Sequence, residues 1–227
     1  MLQLLLFIIV ILAIIKNSFS SKTMRFTCNN FLLNAYLYIF LSFLLIAFSI
    51  DMYQYLKVPS LVDLFKGRFY RFVMAVFFSV LLLIVVMSWP SKHVVGKHAA
   101  WITWIATMGY FVYPLKQKNP RVFEQAKVLT FAIMAALTGA AFTWPSKISL
   151  NWGSTLFVLL LGLIIVHLVG FFYPYTSTMH YLIIYAGLLL FSFFMLYDTK
   201  LLIVKAKECV KADYINDSLG VFLDGMN

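Results

Sequence analysis

The sequence predicts an all-α integral membrane protein, and three observations support that prediction. Hydrophobic residues make up 63% of the 227 positions, and charged residues make up only 11%. Soluble domains are about 45–50% apolar and about 25% charged, so this chain could not cover a globular surface with charge. Its apolar stretches are continuous rather than alternating, which indicates membrane helices and not barrel strands. Disorder, a coiled coil, a disulfide scaffold and a secreted soluble enzyme are excluded.

The net charge of +10 comes from Lys and Arg that lie almost wholly between the apolar runs. Cations in such positions meet lipid head groups, so the expected partner is the lipid bilayer and not nucleic acid. Ten of these cations fall on the side of the N-terminal connector and eight on the other side. This small excess favours the connector side facing the cytosol or matrix. The cysteines Cys28 and Cys209 form no motif.

The first apolar run, Leu2 to Ile15, is short for a span and has the length of a signal-peptide core. No Lys or Arg precedes it, so the usual positive region of a signal peptide is missing. It is either a short extra span or an interfacial anchor. We therefore divide the chain into an N-terminal apolar segment with its polar connector, residues 1–30, and a helical bundle, residues 31–227.

Six stronger apolar runs follow, each of about 17–24 residues, enough for a helix to cross roughly 30 Å of hydrocarbon. They are Phe31–Ile50, Phe72–Trp89, Ala99–Leu115, Val128–Trp144, Trp152–Tyr173 and Tyr181–Val204. A weaker patch, Ile215 to Asn227, closes the chain. The fourth run carries small residues four apart at Ala132, Ala136 and Ala140. Such spacing lets helices approach closely in lipid, which predicts a central position for this helix.

Two carboxylates, Asp198 and Asp224, lie within apolar sequence, where an ionised acid is costly and is functional by default. Asp198 is about 10 Å along its helix from Lys205, and Asp224 is about 15 Å along the next helix from Tyr214. If these helices are antiparallel neighbours, the two carboxyls reach similar depth and would share a proton. The pair would then be a proton-controlled gate or a cation site. The alternative is that Asp198 pairs with Lys200 or Lys205 while Asp224 lies in the interface.

Other polar residues give weaker signals. His167 is alone on an apolar helix, which favours a hydrogen bond between helices over a proton relay. His93 and His98 flank Lys97 without metal-ligand spacing. The sequence has no phosphate-binding loop, nucleophile elbow or metalloprotease motif, so we expect neither an enzyme nor a resident metal or cofactor.

The C-terminal residues resemble a known family. Tyr197-Asp198-Thr199-Lys200, then Asp213-Tyr214-Ile215-Asn216, then Phe222-Leu223-Asp224-Gly225-Met226-Asn227 are similar to the transmembrane Bax inhibitor motif family. The resemblance covers roughly residues 31–227. It implies a seven-helix Bax-inhibitor-like bundle, here with an additional short N-terminal apolar segment and a short last helix. It also implies a pH-sensitive calcium leak in which Asp198 and Asp224 are the sensing dyad.

The resemblance further implies a compartment and ligands. The Ile215-Asn216 pair is slightly closer to the mitochondrial inner-membrane branch of the family than to the endoplasmic reticulum branch. Calcium is expected as a transient ligand of the dyad, and phospholipid is expected as a bound molecule.

Three departures from the family pattern favour a different function. Lys200 stands where the family has Gln, Arg68 and Arg71 only flank the second strong run, and the sequence stops at Asn227. Lys200 and Arg71, together with the intramembrane His167, are the candidate modulators of the dyad. The alternative function is a non-conducting structural or accessory subunit that contacts other membrane subunits.

Overall fold

The computed structural model describes residues 2–20, 25–64 and 67–226. Within these ranges the only β pairing is an isolated bridge between Phe19 and Phe26. The α-helices are α1 (Leu2–Ser18), α2 (Phe31–Tyr55), α3 (Leu61–Leu64), α4 (Arg68–Ser88), α5 (Val94–Lys118), α6 (Pro120–Thr143), α7 (Trp152–Phe172), α8 (Ser177–Lys207) and α9 (Tyr214–Met226). The predicted all-α membrane fold is confirmed. Every apolar run becomes a helix, and α3 is a single turn between α2 and α4.

Five helices in the described part of the chain are long and apolar enough to cross a membrane, namely α2, α4, α6, α7 and α8. The chain is therefore a multi-pass integral membrane protein. Helix α5 is as long as α2 but is less apolar, because it carries Lys97 near its start and Lys116 and Lys118 near its end. Helix α1 has 17 residues and is about 25 Å long, somewhat less than the hydrocarbon thickness.

One compact unit of the chain comprises Met1–Ala126 and Glu208–Ser218. In this unit α5 packs against α2 and α4, and α1 packs against α2. Gly109 lets α5 approach α2 closely, since a Cβ built there would lie 2.8 Å from the Cβ of Ser49. The largest buried apolar side chains of these two helices are Trp101, Trp104, Tyr38, Ile50 and Ile105.

The other compact unit comprises Lys127–Lys207 and Leu219–Asn227. In this unit α7 packs against α8. Gly153 at the start of α7 lies beneath the ring of Tyr197, and a Cβ built on the glycine would be 2.9 Å from Tyr197 Cζ. The end of α9 also belongs to this unit, and it supplies the contact described below.

Helix α6 does not have the central position that its small residues predicted. Ala132 and Ala136 are exposed, Ala140 is half-buried, and only Met134 and Ala141 of this helix are buried. Small side chains permit close approach between helices but supply little apolar area to drive it. The prediction of a central α6 is therefore wrong for the described residues.

Candidate functional site

Asp198 and Asp224 meet in the second unit. Asp198 lies on α8, Asp224 lies near the end of α9, and their carboxyl groups lie close enough to share a hydrogen bond. A carboxylate can only accept a hydrogen bond, so such a bond requires one of the two carboxyls to carry a proton. The structure thus brings together the two aspartates that the sequence placed at similar depth on neighbouring helices.

A glycine makes this approach of α9 to Asp198 feasible. A Cβ built on Gly220 would lie 2.7 Å from Asp198 Cγ and closer still to its Oδ2. A residue with a side chain would therefore push the Asp198 carboxyl aside. Gly220 was not singled out from sequence. The available signal is its spacing, because a residue four positions before Asp224 lies on the same face of α9.

The dyad is half-buried, and one of its oxygens is shielded from solvent. In the described part of the chain, Asp224 Oδ2 accepts no hydrogen bond from a backbone N–H or from another side-chain N–H or hydroxyl group. A buried carboxyl oxygen without a donor costs free energy, so this atom is receptive to a proton, a water molecule or a cation. The positive charge that acts on Asp198 is that of Lys205, at the end of α8.

The dyad supplies too few ligands to hold a metal ion tightly. In the described ranges no three His, Cys, Asp or Glu side chains converge on one point. Calcium takes about 6–8 oxygen ligands, whereas two carboxyl groups offer at most four. The two carboxyl groups alone would therefore supply only part of the coordination shell of such a cation.

The three candidate modulators lie in different places. Lys200 is half-buried on α8 and forms no ion pair with either aspartate, whereas Lys205 acts on Asp198. Arg71 is in the first turn of α4 and belongs to the first unit. His167 is exposed on α7, and its ring Nδ1 donates to the carbonyl of Leu163 at 2.9 Å. Instead of the predicted bond between helices, this histidine bonds to its own helix, because that carbonyl is within reach of the ring.

The first unit contains a buried charge that the sequence did not predict. The side chain of Lys97 on α5 has no solvent exposure, and its ammonium group lies 2.9 Å from Asp213 Oδ2. It also donates to Asn216 Oδ1 at 2.9 Å and to the carbonyl of Trp89 at 3.0 Å. All three ammonium protons therefore have acceptors. Asn216 in turn donates to the carbonyl of Met87, so the start of α9 is fastened to the end of α4.

A buried aromatic cluster lies beside this lysine. His98 Nε2 is 2.7 Å from the hydroxyl oxygen of Tyr38, and the rings of Tyr38 and Tyr214 stack with centroids 6.0 Å apart. Asn34 donates to the Tyr214 hydroxyl at 3.2 Å, and that hydroxyl donates to the carbonyl of Thr27. These bonds fix the first turn of α9 against the start of α2.

The position of Lys97 and His98 is itself a signal in the sequence. They precede the apolar run that begins at Ala99, and they are the fourth and fifth residues of α5. A cation at the start of a helix opposes the helix dipole, so it requires another reason to be there. Here that reason is the carboxylate of Asp213.

Comparisons with known proteins identify the family of this chain. The model of the family described as inhibitor of apoptosis-promoting Bax1 matches residues 28–227. The growth hormone-inducible transmembrane protein of Rattus norvegicus is 35% identical over 141 residues, which is 58% of this chain. The match covers only 40% of the length of that protein. The family match includes both aspartates and Lys97, and it leaves α1 outside.

Proposed function

We propose that this chain, which belongs to the family of inhibitors of apoptosis-promoting Bax1, is a pH-sensitive cation leak controlled by Asp198 and Asp224. The observation that supports this function most is the close approach of the two carboxyl groups. In an apolar environment an intramembrane acid is costly, and two acids in contact are more costly still. Such a pair is maintained where a proton or a cation can occupy it.

The proposed control of the leak follows from the combined charge of Asp198 and Asp224. With one shared proton, the hydrogen bond holds the end of α9 to α8 at Asp198. When that proton is lost, two negative carboxylates face each other and repel. The repulsion is relieved if the helices separate or if a cation enters, and Asp224 Oδ2 is shielded from the water that could otherwise solvate it. We therefore expect the leak to increase as the pH rises through the titration of the dyad.

Calcium is the cation we propose, as a transient ligand that keeps most of its hydration shell. Hard divalent cations prefer carboxylate oxygens, which are the donors that Asp198 and Asp224 supply. Phospholipid is proposed to cover the exposed apolar faces of α4, α6, α7 and α8. We propose the mitochondrial inner membrane as the location, with the endoplasmic reticulum as the alternative, from the Ile215-Asn216 pair.

The test is calcium efflux from vesicles that contain the purified full chain, measured as a function of pH. We expect Asp198→Asn to abolish the pH-dependent step, because an amide cannot lose the shared proton. Gly220→Ala tests the geometry while keeping both carboxyls, and it should shift or flatten the pH profile because its Cβ displaces the Asp198 carboxyl. Gly162→Ala on α7 is the matched control, since a Cβ there meets no atom within 4 Å.

The outcomes separate the explanations clearly. Unchanged efflux and an unchanged pH profile in Asp198→Asn would exclude the dyad as the gate. A profile altered equally by Gly220→Ala and by Gly162→Ala would show a general effect of helix substitution. An altered profile in the first and a normal profile in the second would support control by the position of the carboxyl.

A second candidate function is a non-conducting subunit of a larger membrane assembly. It is favoured by α1, which lies outside the family match and keeps a broad apolar face exposed while its other face packs on α2. The exposed residues of that face are Leu5, Ile8, Ile9, Leu12 and Ile15. Under this function the purified chain gives no efflux above empty vesicles at any pH, and it migrates in mild detergent as part of a larger complex. Efflux from the isolated chain would exclude it.

A further inference from the structure

The two cysteines of the chain form a disulfide bond. Cys28 and Cys209 are 181 residues apart in sequence, and their Cα atoms are 5.9 Å apart. Cys28 lies in the connector between α1 and α2, and Cys209 lies in the loop between α8 and α9. Both belong to the first compact unit. The bond therefore joins the segment before α2 directly to the segment that leads into α9.

Noncovalent contacts beside the disulfide hold the same two segments. The hydroxyl of Tyr214, five residues after Cys209, donates to the carbonyl of Thr27, the residue before Cys28. The Asn34 amide at the start of α2 donates to the same hydroxyl at 3.2 Å. The segment that leads into α9 is thus held by a covalent bond at Cys209, and the first residue of α9 is held by hydrogen bonds.

The disulfide also lies close in sequence to the buried ion pair. Asp213 is four residues after Cys209, and its carboxylate pairs with the buried ammonium of Lys97. Between the two positions Ala212 is buried, whereas Val210 is 96% exposed. If the loop were released at Cys209, water could reach the Lys97 ammonium and weaken this ion pair.

Small reagents can reach this disulfide. Cys28 and Cys209 are each half-buried, and the neighbouring residues Asn29, Glu208 and Val210 are exposed. A disulfide deep in a helical bundle would be shielded from solution reductants. This one joins two loops, and its exposed neighbours let a thiolate attack either sulfur.

We propose that the Cys28–Cys209 disulfide is a redox-controlled clamp on the start of α9. A small dithiol reduces it through a mixed disulfide. Two electrons and two protons pass to the protein, Cys28 and Cys209 become thiols, and the dithiol leaves as a cyclic disulfide. Oxidation by a small-molecule disulfide runs the reverse exchange and releases two thiols. In the reduced state the residues from Cys209 to Ser218 open more often, while the oxidised state keeps them on α2 and α5.

The clamp also assigns an orientation to the protein. Disulfides persist on the oxidising side of a membrane, whereas they are reduced in compartments that cellular thiols keep reducing. The connector with Cys28 and the loop with Cys209 must therefore face the oxidising compartment. This is opposite to the orientation that the small excess of Lys and Arg favoured, and an excess of ten over eight is too small to oppose a covalent bond.

The first test detects the bond in membranes. Membranes containing the full chain are treated with an alkylating maleimide before lysis and are then digested without reductant. We expect a linked peptide containing Cys28 and Cys209, which disappears when a dithiol is added. Complete alkylation of both cysteines in untreated membranes would overturn the proposal.

The second test measures what the bond does. Amide hydrogen exchange is followed over residues 209–218 in the purified protein, before and after reduction by a dithiol. We expect reduction to increase exchange in the wild type by about tenfold or more, because local opening becomes easier. In Cys28→Ser the same amides should already exchange fast, and the dithiol should change nothing. Equal exchange in oxidised and reduced wild type would overturn the clamp, and this result needs no folded variant and no measurement of cation flux.

The third test concerns orientation. A membrane-impermeant maleimide is added to sealed vesicles of known sidedness after reduction by a permeant dithiol. We expect labelling of Cys28 and Cys209 only from the side that corresponds to the oxidising compartment. Labelling of both from the opposite side would refute the assigned orientation.

Discussion

Removing the negative partner of the buried lysine should destabilise the first unit strongly. Lys97 is fully buried, whereas the side chain of Asp213 is 22% exposed. Asp213→Asn keeps a side-chain oxygen that can accept a hydrogen bond, but it leaves the ammonium charge uncompensated. Breaking a buried pair in this way costs about 3–5 kcal/mol. Because Asp213 is partly solvated, we expect the lower end, about 3 kcal/mol, or roughly a hundredfold in the unfolding equilibrium.

The complementary change at Lys97 should cost less. Lys97→Met removes the buried charge and keeps most of the side-chain volume, and the carboxylate of Asp213 can turn to water. We expect a loss of about 1 kcal/mol from the abandoned hydrogen bonds. The double variant Lys97→Met with Asp213→Asn should be more stable than Asp213→Asn alone, since it contains no buried ammonium.

The assay is reversible unfolding of the full chain in mild detergent at neutral pH, with the four proteins compared as a double-mutant cycle. Asp51→Asn is the matched control, because the Lys116–Asp51 pair has side chains that are 23% and 45% exposed. A solvated pair of this kind contributes about 0–1 kcal/mol. If Asp213→Asn were no more destabilising than Asp51→Asn, or if the two changes at the buried pair were simply additive, the reasoning would be refuted.

Two further predictions concern other parts of the first unit. The hydroxyl and backbone N–H of Ser60 donate to Asp63 and hold the pKa of that carboxyl below its usual value, so its stabilising contribution is lost as the pH falls through the lowered pKa. Ser60→Ala should raise that pKa toward the ordinary value, as measured by NMR titration, and an unchanged value would contradict the hydrogen-bond explanation. The unfolding free energy of Gly109→Ala should be about 1–3 kcal/mol lower than that of Gly162→Ala. Both substitutions raise helix propensity equally, but only the alanine at position 109 places a Cβ 2.8 Å from Ser49 Cβ. Equal unfolding free energies for the two variants would show that α2 and α5 can separate without cost.

Much of the candidate site could be expected before the fold was known. Asp198 and Asp224 stand out because acids are rare in apolar sequence, and counting residues along two helices places them at similar depth. Gly220 could not be identified in the same way. Its importance depends on which face of α9 turns toward α8, and a single glycine in a helix carries no such information.

The weak C-terminal apolar patch, Ile215 to Asn227, shows that the length of an apolar run does not determine how deeply a helix is buried. By length alone α9 is a poor span, yet Tyr214, Ile215, Val221 and Phe222 are almost completely buried. Burial depends on the neighbours that surround a helix rather than on how many apolar residues it contains. For the same reason α6, which has the more promising pattern of small residues, is largely exposed.

The sequence by itself determined that the chain lies in a bilayer and where its helices run, because composition and apolar run length report directly on the bilayer. It also singled out the two aspartates within apolar sequence. Only the tertiary structure decided which polar groups pair. Lys97 finds Asp213 across 116 residues, and Cys28 finds Cys209 across 181 residues. Neither partner has a local sequence signature. Their meeting depends on how the helices of the first unit pack, and helix packing depends on side-chain contacts distributed over the whole unit.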